Sequence, residues 1–413
     1  MNKWASFVAI VILLLFSFLL IDQYILSSKY YFYSTSSFSG DSLYNPYQDI
    51  NLRESKIANF HAHAKNGFLN GKGDPKDIRN QYKKIGVDIA GVSQYNSLQK
   101  SVVDTNDSIF IYEHGFNLGK THQLIIGARN VVPKEYLFFQ TIHNKQEILE
   151  KIASDTQNVI ALTHPDLSYG YNKNDIKLLH YYDLMEVLSP YANSISYWDT
   201  ALSNGRPIFA LGNDDAHDVF DRNELGRFVN IVFCDNSSRN PIVSSLRKGQ
   251  SAVVWLKQTT NESIEQKLKK INSAKTILSS IHNDQDTIRL KFRDDIDKLD
   301  VIVDNGVLYQ SFLKDSSFAV KMLPQYSYIR FEASLADGSK VIFNPIFRIN
   351  RKGLYSRNNL AEMHVSRNPY NPFQDMLFIF TAIAFTQVLV KLNSWFRKRR
   401  RKKDFIFTNL HKY

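Results

Sequence analysis

The sequence predicts an α/β domain of alternating β/α units, followed by a small antiparallel β-sandwich and flanked by N- and C-terminal transmembrane helices. Three observations predict this. Between residues 57 and 255, short apolar runs (57–60, 87–92, 109–112, 123–126, 159–162, 184–187 and 208–211) alternate with longer amphipathic stretches. From 287 to 349 the apolar period changes to two, in "TIRLKF", "LDVIVDN", "YSYIRFEASL" and "KVIFNPIF", with turn signals "DNG" and "ADG" between the runs. An uninterrupted apolar stretch lies near each end of the chain.

Residues 1–25 read as an N-terminal anchor. "WASFVAIVILLLFSFLLI", residues 4–21, carries no charge for eighteen residues, is longer than a usual signal-peptide core and has no small-x-small cleavage site after it. Residues 26–56 form a juxtamembrane segment. The alternating domain occupies 57–255, with amphipathic helices such as "DPKDIRNQYKKIG" and "NKQEILEKIASD", the second placing Ile148 and Ile152 one turn apart. The polar, Lys- and Gln-rich segment 256–284 reads as a linker helix, 285–350 as the β-sandwich and 351–375 as a second juxtamembrane segment. Residues 376–396 read as a transmembrane helix: "MLFIFTAIAFTQVLV" is followed by Lys391, which can snorkel, and by Trp395 and Phe396 at the interface. Residues 397–413 form a basic tail. A small repeat, "YNPYQDI" at 44–50 and "YNPFQDM" at 370–376, lies just inside the two apolar spans.

The formal charge of +11 invites a nucleic-acid reading, but the distribution excludes it. "RKRRRKK" at 397–403 supplies seven of those charges, and removing seven from eleven leaves +4 on the rest. No nucleic-acid partner is expected. A basic run beside an apolar span belongs on the cytoplasmic side, where anionic lipids attract it. Two spans then put both termini in the cytoplasm and the domain between them outside it. Cys234, the only cysteine, excludes an intramolecular disulfide and any cysteine-based zinc cluster. A metal here needs histidines and carboxylates.

Such residues recur at the ends of the apolar runs, where strands of a barrel-like α/β fold converge on one rim. "NFHAHAKNG", 59–67, ends the first run with His61 and His63; strand side chains alternate, so both rings point to one side. Glu113 ends "FIYEHG", and His164 ends "VIALTHPD". "IFALGNDDAH" ends with Asp214, Asp215 and His217. His122, in "GKTHQLIIG", begins a run rather than ending one. A lone strand-end Glu is usually solvated, and Asp-Asp before a His can simply cap a helix. Their recurrence at successive strand ends points to a shared metal site.

In this order the motifs resemble those of the PHP (polymerase and histidinol phosphatase) superfamily of metal-dependent phosphoesterases, over about half the chain. "NFHAHAKNG" resembles the opening His-x-His motif and "IYEHG" the bridging-glutamate motif. "THQLIIG", "ALTHP" and "GNDDAH" resemble the three later histidine motifs, and "IVSSLRKGQSAVV" at 242–254 the closing helix and strand. The resemblance implies that 57–255 is a PHP-like metal-dependent hydrolase domain, a distorted (β/α)7 barrel holding two or three metal ions. One departure is informative. Where the family commonly has Thr-Asp-His, "GVSQYN" has Ser93, Gln94 and Tyr95, and no histidine occurs from 65 to 73. By analogy, a first site (His61, His63, Glu113, Asp215) and a second (Glu113, His122, His164) survive, while a third keeps only His217. Two divalent ions, Zn, Mn or Fe, are therefore expected, with His217 and Tyr95 freed for substrate contact or proton transfer.

Two ions sharing a carboxylate suit hydrolysis of a phosphomonoester or phosphodiester. His217 or Asp214 is a candidate proton donor, and Arg222 and Arg227, in "DRNELGRF", are candidates for phosphate oxygens. The expected substrate is a phosphorylated small molecule, glycan or lipid, met at a membrane. Two alternatives stay open: a phosphoglycan- or phospholipid-binding module without catalysis, and a hydrolase of other esters or amides using the same centre.

Overall fold

The computed structural model describes residues 3–65, 71–99, 109–260, 262–350, 357–368, 376, 379–392 and 394–395. The chain divides into two units, residues 1–30 with 367–413, and residues 31–366. In the first, helix α1 (Lys3–Ile21) continues into a π-helical turn, Asp22–Leu26. Its segment Phe7–Leu26 is, among the described residues, the one helix long and apolar enough to cross a membrane. A second apolar helix is described over Ile379–Leu392, a stretch that is by itself shorter than a span requires. Just past α1, the Lys29 carbonyl accepts the Asn368 amide at 2.8 Å, so the two ends of this unit meet. The basic run 397–403 and residues 370–375 of the second "YNPFQDM" copy lie outside the described residues.

In the second unit the elements run β1 (Ser55–Asn59), α2 (Pro75–Lys84), β2 (Ile89–Ala90), β3 (Ile111–His114), β4 (His122–Ile126), α3 (Ile142–Ala153), β5 (Val159–Thr163), α4 (Lys173–Leu178), β6 (Leu184–Ser189), α5 (Ile195–Ser203), β7 (Phe209–Gly212), β8 (Phe228–Phe233), α6 (Arg239–Arg247) and β9 (Ser251–Trp255). The helices start where local chemistry dictates. Asp74 caps α2 in a reciprocal box with Asp77 and is followed by Pro75, while Thr141 and Asn144 do the same for α3. Ile148 and Ile152 bury the inner face of α3.

Strands β7, β6, β5, β4 and β3 form one sheet in that order, and β9, β8, β1 and β2 belong to a second. No closed barrel forms among the described residues, a departure from the expected (β/α)7 closure. Where a barrel would continue its main-chain ladder from β7 to β8 and β1, the side chains of two fully buried asparagines, Asn213 and Asn230, substitute for it, and a third, Asn59, extends the β1–β8 pairing. The Asn230 side chain bonds both the amide and the carbonyl of Gly212, Asn213 Oδ1 accepts the Phe60 amide, and Asn59 Nδ2 donates to the Phe228 carbonyl. Gly212 is needed there, since a Cβ would lie 2.4 Å from Val253. At the other gap, a single bridge, Tyr95 to Glu113, links the chain beyond β2 to β3.

The later strands follow α7 (Ile264–Lys275): β10 (Leu278–Asp284), β11 (Thr287–Val303), β12 (Val307–Lys321), β13 (Tyr328–Ser334), β14 (Lys340–Phe343) and β15 (Ile346–Ile349). The linker segment thus holds a helix, as its composition predicts, but its last residues already form β10. These strands do not stand apart as a sandwich. β14 pairs antiparallel with β9, Trp255 opposite Lys340, making one sheet of order β10-β11-β13-β14-β9-β8-β1-β2. Arg330 on β13 adds a buried two-pronged bond to Asp199 of α5, 2.8 Å at each prong.

Candidate metal centre

The chain leaves β1 extended, with the Asn59 side chain accepting the His61 amide at 3.1 Å and the Ala216 carbonyl accepting the His63 amide at 2.9 Å. Alternation therefore turns both imidazoles into one pocket, where both are fully buried. Glu113 enters from β3 and His164 from the end of β5. His122 reaches the same pocket from the start of β4. That strand runs antiparallel to both neighbours, so its first residue lies at their C-terminal ends, opposite Thr163. Asp215 follows β7. His164 and Asp215 both take left-handed backbone, φ 30° and 44°, a conformation non-glycine residues seldom adopt outside over-determined sites.

Four donor atoms cluster first: His61 Nε2, His63 Nε2, Glu113 Oε2 and Asp215 Oδ1. His61 Nε2 lies 3.2 Å from His63 Nε2, 3.3 Å from Glu113 Oε2 and 3.1 Å from Asp215 Oδ1. His63 Nε2 lies 3.2 and 3.1 Å from the same two oxygens. These five separations lie near the ~3.3 Å edge of a tetrahedron with bonds of ~2.0 Å. His61, His63 and Glu113 form a group able to hold an ion, and Asp215, beside both histidines, also groups with His63 and His217. The other oxygen, Glu113 Oε1, lies 2.7 Å from His122 Nδ1 and 3.4 Å from His164 Nε2. These three residues form a second group able to hold an ion, and Glu113 belongs to both. Despite the short distances, both Glu113 oxygens, Asp215 Oδ1 and His122 Nδ1 are buried without a hydrogen bond of acceptable geometry. Groups aimed at a shared cation, rather than at one another's protons, leave that signature. The residues therefore fit divalent ions, and the nitrogen and oxygen donors suit Zn, Mn or Fe.

The electrostatics agree. Burial opposes ionisation of Glu113, yet the charges of His122 and His61 hold its carboxyl well below the usual range. Burial likewise opposes ionisation of Asp215, and His61 and His63 outweigh it. Two carboxylates are thus kept ionised in a dry pocket. Burial lowers the pKa of His122 and of His217, against the pull of Glu113 and Asp215 respectively.

One functional residue escapes the motif reading. Glu186, fully buried on β6, accepts from His61 Nδ1 at 3.1 Å, from the Asn213 side chain at 2.9 Å and from the His164 amide at 3.0 Å. It orients a ligand ring by the histidine's far nitrogen, as outer carboxylates at metal sites do. Its signal in the sequence was a single charge inside the apolar run "DLMEVL".

The candidate catalytic residues fare unequally. Asp214 is turned away from the cluster: its oxygens accept the amides of Gly226, Arg227 and Phe228 and the Tyr82 hydroxyl, at 2.6–2.9 Å. With all four acceptor positions used it clamps the loop before β8, and it is no proton donor. Burial raises its pKa to about 6, with those four donors acting against the rise. Arg222 is exposed and its charge acts on Glu265 of α7; among the described residues no contact joins it to the cluster. Arg227 lies nearer, its charge acting on Tyr191, whose ring is 6.2 Å from that of His217. Tyr95 stacks on His63 at 4.7 Å and meets His122 edge-on at 5.4 Å. Burial and the charges of Glu113 and Asp215 raise its pKa, so it is a protonated donor. His217 bonds the Asp215 carbonyl through Nδ1 at 2.9 Å and is the half-exposed member of the group. Tyr95, His122 and His217 line the inner end of a cleft of about 990 Å³.

No protein-family model and no curated protein matches the sequence. Two solved structures do. One is a two-domain protein containing a predicted PHP-like metal-dependent phosphoesterase from Bacteroides vulgatus, 13% identical, matching 75% of this chain and 98% of its own with a TM-score of 0.39. The other is PsfC from Pseudomonas syringae, 12% identical over 54% of this chain and 98% of its own, with a TM-score of 0.38. Likenesses this distant leave the functional reading to the site itself.

Proposed function

We propose that this chain is a membrane-anchored, two-metal phosphoesterase that hydrolyses a phosphomonoester or phosphodiester outside the cytoplasm. The observation that carries the reading is Glu113, fully buried, with one oxygen in each of two donor groups. His61, His63, Glu113 and Asp215 would hold one ion, and Glu113, His122 and His164 the other. When bound, such a pair supplies an activated water and charge stabilisation for the phosphoryl oxygens.

The chain's own residues do the rest. Glu186 and Asn213 fix the His61 ring, and the asparagine stitches hold the strand ends at their spacing. Tyr95 keeps its proton and can donate to a substrate oxygen. His217, neutral and open to the cleft, is placed to exchange a proton with the leaving oxygen once its pKa rises beside the substrate. Arg227 at the rim is the remaining candidate for a phosphate contact. The ordered motifs, which resemble those of the PHP superfamily, support the same class of reaction.

Full-length protein purified with Mn²⁺ or Zn²⁺ should carry about two metal equivalents and release p-nitrophenol from p-nitrophenyl phosphate or its bis-ester. Chelation should abolish turnover and readdition restore it. Protein that binds no metal would refute the centre. Metal-loaded protein that binds phosphoesters without cleaving them would favour the non-catalytic binding module. For the location, a reporter after Tyr413 should be active in the cytoplasm and one near Ser280 outside it; both on one side would mean that the second apolar segment does not cross.

A further inference from the structure

We propose that the cleft beside the metal centre seats the hydrocarbon chain of a phosphorylated amphiphile, so that the substrate class is a lipid-borne phosphoester. This rests on the phosphoesterase reading above and narrows its substrate. The inner end of the cleft is made by Tyr95, His122 and His217, so whatever fills it touches the candidate metal residues directly. Beyond them its walls turn apolar. Phe116, Leu118 and Leu137 line it and are 53%, 64% and 36% exposed. Large apolar side chains gathered at the mouth of a cleft, rather than scattered singly, mark a surface that meets an apolar partner.

The walls are built rather than loose. The Leu118 amide donates to the Leu137 carbonyl at 3.0 Å, joining the two loops that carry them. Glu135 spends one oxygen on the Phe116 amide at 2.7 Å, and Asn96 accepts the Gly115 amide at 3.2 Å. The acid in the lining is therefore occupied by backbone, which leaves Lys120 as a cation beside the path to the metals. A cation and metal residues at one end and apolar walls at the other match a phosphate head and a hydrocarbon tail. At about 990 Å³ the cleft is at the upper end of small-ligand sites, which leaves room for more than a phosphate. The chain also carries an apolar helix long enough to cross a bilayer, so it has access to substrates dissolved there.

The test is binding, not turnover. Full-length protein in lipid nanodiscs, loaded with Mn²⁺, is dialysed to equilibrium against methyl-, butyl- and hexylphosphonate, whose P–C bond resists hydrolysis, with empty discs as the partition baseline. Affinity should rise up to about fourfold per methylene until the cleft is filled. Leu118→Asp and Phe116→Ser should each pull the hexyl-to-methyl ratio back toward one. Equal affinity for methyl- and hexylphosphonate, a length dependence that survives both variants, or tighter binding of a sugar phosphonate of similar size would overturn the assignment. Length-dependent binding in a protein that hydrolyses no phosphoester would sink the phosphoesterase reading and leave the cleft assignment standing. Turnover of short esters with no length dependence would do the reverse.

Discussion

The two donor groups that share Glu113 are built differently. Around His61 and His63, Glu113 and Asp215 each bring an oxygen within 3.3 Å of both rings, the rings come from one extended stretch, and Glu186 braces His61 from behind. Around His122 and His164 there are three donors, drawn from three strands, and His122 itself lines the cleft. A closed set of four leaves no coordination position free, whereas three protein ligands leave one for substrate or water. On the proposed reading, the first ion is held for structure and charge while the second meets the substrate. Both depend on one carboxylate.

The largest effect should therefore come from Glu113→Gln, which removes charge from both groups at once. Metal content should fall well below one equivalent and turnover by ~10³-fold or more, since even outer-sphere changes cost ~10–100-fold in metal affinity. Elemental analysis and initial rates check it together. Full metal content in this variant would break the shared-ligand view.

His164→Ala tests the asymmetry itself. It should lower the metal content from about two equivalents to about one, keeping the four-donor group loaded while hydrolysis is lost. Loss of both ions would mean that the groups are not separable. Glu186→Gln comes next: metal affinity should weaken ~10–100-fold by competition with a chelator, with both ions still binding at saturating metal. Tyr95→Phe removes no donor atom, only a hydroxyl that interacts with Glu113, so metal content should change little and the main loss should fall on turnover.

A smaller effect lies outside the centre and contrasts with it. His180 is buried beside the Arg206 guanidinium, and burial with that charge lowers its pKa to about 2. The folded value lies below the unfolded one of ~6.5, so its contribution to stability is present above that pH and is lost as pH falls through and below it. The slope should reach at most ~1.4 kcal/mol per pH unit. Denaturation midpoints at pH 7 and 5 should differ less in His180→Gln than in the parent.

Much of this centre could be read from strand-end chemistry. His61, His63, Glu113, His164 and Asp215 stand at run ends and meet in one pocket. His122 looked misplaced because a run start implies the far rim, an inference that assumes parallel strands; antiparallel β4 reverses it. Asp214 was misread because the chain turns into left-handed backbone at Asp215, so the two neighbours face different ways, and motif position does not say which carboxylate faces in. Glu186 was missed because a second layer has no spacing of its own. The unclosed barrel was illegible for a related reason. Asn213 and Asn230 read as ordinary polar residues until their side-chain amides are seen replacing a ladder. Period-two runs announced the strands after 287, though not β10 before them, and could not name their partner, because pairing across nearly a hundred residues leaves no local trace.

That long-range pairing limits where the chain can be cut. Ending it near residue 256 would leave β9 as an open edge, its β14 partner removed, with Val253 and Val254, now fully buried, on a bare margin. Unpaired apolar edges recruit strands from other molecules. The Ala210 amide on β7 would also lose Asn344, a 2.7 Å partner. A fragment trimmed to the motif-bearing half should therefore aggregate. The C-terminal strands act as an edge guard for the metal-bearing half.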